Sequence, residues 1–134
     1  MTIVIDASVI VAALSDTGRD GSWAESLIAS ETLVAPELAM VEATNILRRL
    51  ELAKELTSVE SGLAQKDLMR LDIQLFPFHP LAERIWALRK NITSYDAWHV
   101  ALAEALDCSL ATLDIKLKNA INNFGCKRTH GNPP

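Results

Sequence analysis

Cysteine is nearly absent from this chain of 134 residues, which holds only Cys108 and Cys126. Two lone thiols make neither a zinc site nor the disulfide framework of a small secreted domain. Long hydrophobic runs are absent too: the longest spans residues 9–14, whereas a membrane helix needs about 20 residues. The N-terminus also lacks the basic segment of a secretory signal. We therefore expect a cytoplasmic protein with no membrane segment.

Proline and glycine are scarce, with five of each, and positive charge is not in excess, since the net charge is −4. A hydrophobic content of 49% is typical of one compact domain, and the abundance of alanine and leucine favours a helix-rich α/β fold. The negative charge argues against a broad basic surface that holds nucleic acid. It does not exclude a nuclease, because a bound metal ion neutralises a cluster of carboxylates.

The first strand predicts the architecture. Residues 2–5 are apolar and β-branched without polar alternation, which is typical of a central parallel strand covered on both faces. Strands separated by helical pairs follow along the chain, so we expect a parallel sheet of four to five strands with helices on both faces. We assign residues 1–126 to this domain and residues 127–134 to a basic C-terminal tail that frays.

Carboxylates follow two of these strands directly. Asp6 ends the first strand and Asp114 ends the strand over residues 109–113, and a helix follows each. Ligand crevices in open α/β sheets lie at the carboxyl ends of the strands. The alternative is that each aspartate only caps its helix.

Two further carboxylates lie on predicted helices. Glu42 belongs to a helix predicted over residues 36–50, where it shares a mostly apolar face with Val41 and Asn45. Burial of a carboxylate is costly unless it meets a cation, although Glu42 at the edge of that face would simply be solvated. Asp96 closes a capping-box pattern that begins at Thr93, which is a sufficient structural explanation for it. We interpret His99, one turn later on the same side, as a helix-surface residue with one hydrogen bond, and the alternative is that it lines a site.

The topology allows all four acids to reach one crevice, where they repel each other unless a cation is present. Oxygen ligands alone suit Mg²⁺ or Mn²⁺, and the matching chemistry is phosphodiester hydrolysis by a metal-activated water. In this interpretation three residues hold the metal and Glu42 binds metal or positions the water, with polar neighbours that orient them. The metal ligands are Asp6, Asp96 and Asp114, and the orienting neighbours are Ser8, Asn45 and Thr112.

The chain resembles the PIN-domain nucleases, and within them the VapC-type toxins of bacterial toxin–antitoxin pairs. The resemblance covers nearly the whole chain and rests on four stretches in order, at residues 4–8, 42–45, 94–103 and 111–114. Trp98 and His99 depart from the family pattern, which often has leucine or tyrosine there, and Asp107 stands where a glycine often ends the helix.

The resemblance implies a three-layer α/β/α sandwich and an endoribonuclease that depends on Mg²⁺ or Mn²⁺, with Asp6, Glu42, Asp96 and Asp114 as its acidic site. It also implies a homodimer, an RNA substrate, and a cognate antitoxin through which the pair contacts the DNA of its own operon. The candidates for contacts to the RNA backbone are Arg48, Arg49, Lys116 and Lys118, and each has the alternative of a solvated surface charge.

Two other functions stay open from the sequence. A metal-dependent phosphohydrolase with Asp6 as nucleophile would need a second acid two residues later, where the chain has Ser8. A binding-only domain of the same fold would be expected to have lost at least one of the four acids, and this chain retains them all.

Overall fold

The computed structural model describes residues 1–123 and 128–129 of the chain, with side chains as far as residue 121. A 3₁₀ turn at His79–Leu81 separates the third strand from the fifth helix. The elements in chain order are β1 (Thr2–Ile5), α1 (Ala7–Ser15), α2 (Arg19–Ser30), β2 (Thr32–Pro36), α3 (Leu38–Leu52), α4 (Ser58–Arg70), β3 (Ile73–Phe76), α5 (Ala82–Ala87), α6 (Ser94–Leu106), β4 (Ser109–Ala111), α7 (Ile115–Asn123) and β5 (Arg128–Thr129).

The sheet is parallel in every pairing, and its strand order is β3-β2-β1-β4-β5. The chain first builds outward from β1 through β2 to β3, and then returns to the other side of β1 for β4 and β5. The central place of β1 explains its uninterrupted apolar sequence, because both of its faces are covered.

A separate hydrophobic core lies on each face of the sheet. Ile3 and Ile5 belong to the core that packs under α1 to α4. Val4, which points to the opposite face, belongs to the core under α5 to α7. Alternate residues of β1 therefore pack against helices on opposite faces of the sheet. The predicted three-layer arrangement around a parallel sheet is confirmed.

One predicted boundary is wrong. Pro36 ends β2 and does not begin the next helix: it pairs with Phe76, and the backbone N–H of Glu37 donates to the Phe76 carbonyl at 3.1 Å. Proline lacks an N–H, so the end of a strand tolerates it. Residues 128–129 form β5 and pair with β4, which makes the fifth strand of the sheet. Cys126 and the other residues of the predicted tail lie outside the described residues.

No helix in the described part of the chain has both the length and the hydrophobicity that a membrane span requires. Two helix ends have well-defined caps. Thr57 forms a reciprocal capping box with Glu60 at the start of α4, and Asp107 ends α6 in the left-handed conformation, at a φ of 47°.

Two glycines give a matched test of the packing between helices. A Cβ on Gly21 of α2 would lie 1.8 Å from the carbonyl oxygen of Asp16, whereas a Cβ on Gly62 of α4 would meet no atom within 4 Å. We expect Gly62→Ala to raise the free energy of unfolding by about 0.5–1 kcal/mol, because alanine is the better helix former. Gly21→Ala should lower it by about 2 kcal/mol or more through overpacking.

Urea unfolding followed by circular dichroism measures both variants against the parent chain. Both substitutions bring the same gain in helix propensity, so their difference isolates the contact with Asp16. Equal effects of the two substitutions would contradict the close approach of α2 to the preceding loop.

Candidate active site

The strand order reverses between β1 and β4, and the candidate site lies at this point. Ile5 pairs with Ala111, so the next residues, Asp6 and Thr112, lie side by side at the ends of two adjacent strands. Such switch points open a crevice at the carboxyl edge of a parallel sheet.

Asp6 is held by both of its carboxylate oxygens. It is only 6% exposed, and Ser8 Oγ donates to its Oδ1 at 2.6 Å. Thr112 Oγ1 donates to the other oxygen, Oδ2. The backbone N–H of Val9 also donates to Oδ1, at 3.2 Å, as it would to a helix cap. Asp6 therefore caps α1 and is oriented by two hydroxyls at once.

The same two hydroxyls tie the ends of β1 and β4 together. Ser8 Oγ accepts from the backbone N–H of Leu113 at 3.0 Å, and Thr112 Oγ1 accepts from that of Asp114 at 2.9 Å. The structure thus places Ser8 and Thr112 where the sequence analysis predicted orienting groups. Asp114 is exposed and uses only Oδ1 as a cap, which accepts from the N–H of Lys116 at 2.8 Å.

Asp96 is half-buried in the first turn of α6. Its backbone N–H donates to Thr93 Oγ1 at 3.2 Å, but the reciprocal bond that Glu60 makes to the N–H of Thr57 has no equivalent here in the described residues. The capping box is therefore only half formed. Capping explains Thr93, whereas Asp96 contributes its charge to the first turn of the helix.

Glu42 is half-buried on α3, at the edge of its buried face. The predicted face is wrong: Val41 is 66% exposed, and the buried line of the helix runs through Ala39, Ala43 and Leu47. Asn45 is exposed, and among the described residues its side chain makes no hydrogen bond to an acid. The structure brings Glu42 to the crevice and leaves Asn45 outside the hydrogen-bond network there, so its orienting role stays a prediction.

The four acids share one electrostatic environment. Burial raises the pKa of Glu42, and the charges of Asp6, Asp96 and Asp114 raise it further. Burial also raises the pKa of Asp96, and the charge of Asp114 is the next largest cause. Like charges in a half-buried crevice oppose each other's ionisation. These pKa shifts indicate that the four side chains lie close enough to interact at one edge of the sheet, as the sequence predicts.

His99 is the residue that the sequence analysis misjudged. It was interpreted as a surface residue, but it is only 2% exposed. Its charge acts on both Glu42 and Asp96, whose pKa values it lowers against the effect of burial. Two sequence features indicate that His99 is buried: it lies one helical turn after Asp96, and small and apolar residues surround it in the sequence.

The donor set at this edge consists of carboxylate and hydroxyl oxygens, which are the ligands that Mg²⁺ and Mn²⁺ prefer. Within the described ranges, no three acidic, histidine or cysteine side chains already converge as a metal shell. Mutual repulsion keeps carboxylates apart without a cation, and Mg²⁺ usually retains several waters. The chemistry of these residues therefore fits a hydrated divalent ion.

A groove of about 530 Å³ adjoins the acids. Ser8 and Leu113 form the end next to the site, and apolar side chains continue it between α1 and α3 as far as Leu56. Asp16 and Glu55 also line the groove, so its lining is apolar with a few polar and charged groups.

The PIN domain family model matches residues 3–122 of this chain. Among curated proteins, Ribonuclease VapC9 of Mycobacterium tuberculosis is 42% identical over 117 residues, which cover 87% of this chain and 89% of that protein.

Two solved structures share the fold. VapC20 of Mycobacterium tuberculosis, described as a sarcin–ricin loop cleaving toxin, superposes with a TM-score of 0.67 at 16% identity, over 88% of this chain and 94% of that one. VapBC2 of Rickettsia felis, bound to a DNA fragment from its promoter, superposes with a TM-score of 0.66 at 16% identity, over 97% and 98% of the two chains.

The raised pKa of Glu42 predicts a stability effect with a definite sign. A carboxyl group whose pKa is raised by folding favours the folded state when protonated, and this contribution is lost as the pH rises through the raised pKa. In metal-free buffer at pH 7, we expect Glu42→Gln to unfold at a higher temperature than the parent chain. Below the ordinary glutamate pKa of about 4.3, the difference should vanish.

Glu60→Gln is the matched control with the opposite sign. The backbone N–H of Thr57 lowers the pKa of Glu60, so its stabilising contribution is present at neutral pH and is lost as the pH falls. Thermal unfolding of both variants, with EDTA and with Mg²⁺, tests the scheme. Mg²⁺ should stabilise the parent more than Glu42→Gln, and a destabilised Glu42→Gln at pH 7 without metal would refute the assignment.

Proposed function

This chain belongs to the PIN domain family, and from that premise we propose that it is a metal-dependent endoribonuclease, the toxin of a type II toxin–antitoxin pair. The observation that carries the proposal is the Asp6 carboxylate, buried and held by Ser8 and Thr112 beside three further acids whose charges interact. The 42% identity to Ribonuclease VapC9 over most of both chains supports the ribonuclease activity.

Asp6, Asp96 and Asp114 are the residues that would hold the ion. A divalent cation bound there supplies charge neutralisation for the phosphodiester and lowers the pKa of water. The hydroxyls of Ser8 and Thr112 keep the Asp6 oxygens in one orientation. The Asp6 side chain therefore does not have to reorient when substrate binds.

Glu42 suits the task of accepting a proton. Its raised pKa brings it closer to neutrality, where a general base works best. In the proposed reaction, Glu42 positions a water, takes one of its protons, and the water oxygen bonds to phosphorus. The P–O bond to the neighbouring nucleotide then breaks, the leaving oxygen takes a proton from solvent water, and Glu42 returns its proton to solvent.

An acidic site in a chain of net charge −4 needs local positive charge to approach a polyanion. Lys116 is exposed, and its charge acts on Asp96. We therefore rank Lys116 first among the candidate contacts to the RNA backbone, ahead of Arg48, Arg49 and Lys118.

The proposed partner is a cognate antitoxin. A solved structure from Klebsiella pneumoniae with the same fold, at a TM-score of 0.61, is described as a toxin–antitoxin complex. The groove beside Ser8 has a largely apolar lining on which a partner segment could pack. A partner segment there would cover the site and block RNA. We further propose that the toxin is a homodimer that acts in the cytoplasm and reaches DNA only through its antitoxin.

A cleavage assay on a structured RNA pool tests the activity. We expect purified protein to cut RNA internally with Mg²⁺ or Mn²⁺ and not in EDTA. Asp6→Asn should lower the rate at least about 100-fold, because loss of one ligand charge removes several kcal/mol of transition-state stabilisation. Asp67→Asn, an exposed aspartate on α4, is the control that should retain full activity.

Each other outcome has a distinct meaning. Cleavage that persists in EDTA or in Asp6→Asn would contradict the proposed site. Calorimetric metal binding without cleavage of any RNA would favour a binding-only domain. Release of phosphate from a monoester without internal cuts would favour a different metal-dependent phosphohydrolase.

A further inference from the structure

A stretch of exposed aromatic and basic side chains leads into the acidic site. Trp86 and Tyr95 are the two most exposed aromatic residues in the described part of the chain, at 66% and 61%. Arg89 and Lys90 lie between them and are also exposed. Residues 86–95 include no aspartate or glutamate, so this segment is positive in a chain of net charge −4. We call Trp86, Arg89, Lys90 and Tyr95 the aromatic strip.

Trp86 and Arg89 form an ordered pair at the end of α5. The guanidinium carbon of Arg89 lies 4.3 Å from the centroid of the Trp86 ring, a distance at which a cation is attracted to the face of the ring. Arg89 Nη1 also donates to the Trp86 carbonyl oxygen at 2.9 Å, as basic side chains do at helix ends. Arg89 is thus held over one face of a ring that stays largely open to solvent.

Packing fixes the backbone that carries this pair. Ile85 and Leu88, on either side of Trp86, are buried in the core under α5 to α7. Arg84 donates two hydrogen bonds to Glu104 of α6, at 3.2 and 3.1 Å. Trp86 is therefore an exposed aromatic residue on a fixed element, which loses little conformational freedom when a ligand binds.

The other end of the aromatic strip lies at the same edge of the sheet as the acids. α6 packs on β1, ends at Leu106, and is followed at Ser109 by the start of β4. The last turn of α6 is therefore at the edge where the strands begin. Because a helix of this length spans about 20 Å, its first turn, with Tyr95 and Asp96, lies at the opposite edge, where β1 ends in Asp6.

Single-stranded RNA is the ligand that this combination of groups fits. Bases stack on aromatic rings and on guanidinium planes, while basic side chains contact the phosphates. Lys90 makes no ion pair within the described residues, so its ammonium group is available to a phosphate. The chain from Arg89 to Asp96 can span at most about 25 Å, so one single-stranded segment can contact the strip and the acids together.

We propose that the aromatic strip binds a single-stranded segment of RNA beside the acidic site, with one base stacked on the Trp86 ring and another on the Tyr95 ring. The proposal rests on the proposed ribonuclease function and adds the surface that holds the substrate. The strip belongs to the layer of α5 and α6, whereas the groove beside Ser8 lies in the opposite layer, between α1 and α3. RNA and a partner protein would thus have separate surfaces.

Fluorescence anisotropy in EDTA tests binding without cleavage. We expect the parent chain to bind an oligoadenylate of about eight nucleotides at least about 10-fold more tightly than an abasic oligonucleotide with the same phosphates. Trp86→Ala and Tyr95→Ala should each weaken oligoadenylate binding about 10-fold, because stacking on one ring is lost, and leave abasic binding unchanged. Trp86→Phe should retain most of the affinity. Met69→Ala, at a residue 65% exposed on α4, is the matched control that should change neither affinity.

Lys90→Gln separates the contribution of charge from that of stacking. It should weaken binding of both oligonucleotides by a similar factor, because both carry the same phosphates. It should also lower the slope of log affinity against log salt concentration by about 1. Loss of oligoadenylate binding alone in Lys90→Gln would contradict the phosphate contact.

The remaining outcomes separate the aromatic strip from the nuclease. No RNA binding by the parent, equal affinity for the two oligonucleotides, or full affinity in both alanine variants would overturn the proposal, even if the protein cuts RNA. Base-dependent binding through Trp86 and Tyr95 in a protein that cuts no RNA would support the strip and contradict the nuclease. Sedimentation tests a second copy as the occupant: a dimer that Trp86→Ala splits at unchanged RNA affinity would overturn the proposal.

Discussion

The Asp6 carboxylate and its two hydroxyl partners are the constraint on which the site depends. Ser8 Oγ and Thr112 Oγ1 donate to different oxygens of Asp6, and each hydroxyl accepts a backbone N–H from the segment after β4. A side chain held at both oxygens cannot rotate freely, and the two strand ends cannot separate without breaking these bonds. The same hydrogen bonds thus orient the Asp6 carboxylate and join the end of β1 to the end of β4. Such pre-organisation is what lets a small domain present charge in a defined direction.

The acids around this point oppose the stability of the fold. Glu42 and Asp96 are half-buried, and folding makes both harder to ionise. A buried hydrogen-bonded aspartate, a half-formed capping box and an unpartnered imidazole nitrogen lie within the same part of the molecule. Elsewhere the local rules hold, as in the reciprocal box of Thr57 and Glu60. Natural proteins concentrate such violations at functional sites, where partial destabilisation is the cost of activity.

The sequence was sufficient for the layers and for the acids, and the reason is periodicity. An apolar, β-branched strand without polar alternation that is followed at once by Asp6 is typical of a central parallel strand with a carboxylate at its end. The same pattern of strand, aspartate and helix recurs at Asp114, and the two together made the crevice predictable. Boundaries were less accessible, because Pro36 is acceptable both at the start of a helix and at the end of a strand, and only pairing with Phe76 decides. The buried face of α3 and the burial of His99 depend on how helices rest on the sheet. That packing is a tertiary property, which no local pattern around residues 39–47 specifies and which the apolar neighbours of His99 only indicate.

The two hydroxyl partners of Asp6 lie at opposite ends of the chain, at positions 8 and 112 of 134. During synthesis, β1, β2 and β3 with their first four helices emerge and can pack early, since their contacts join segments that are neighbours in sequence. Thr112 and Asp114 follow all of these elements in the chain. The growing chain can therefore fold most of its scaffold before the second hydroxyl partner of Asp6 has been made, and the acidic site is assembled after the scaffold.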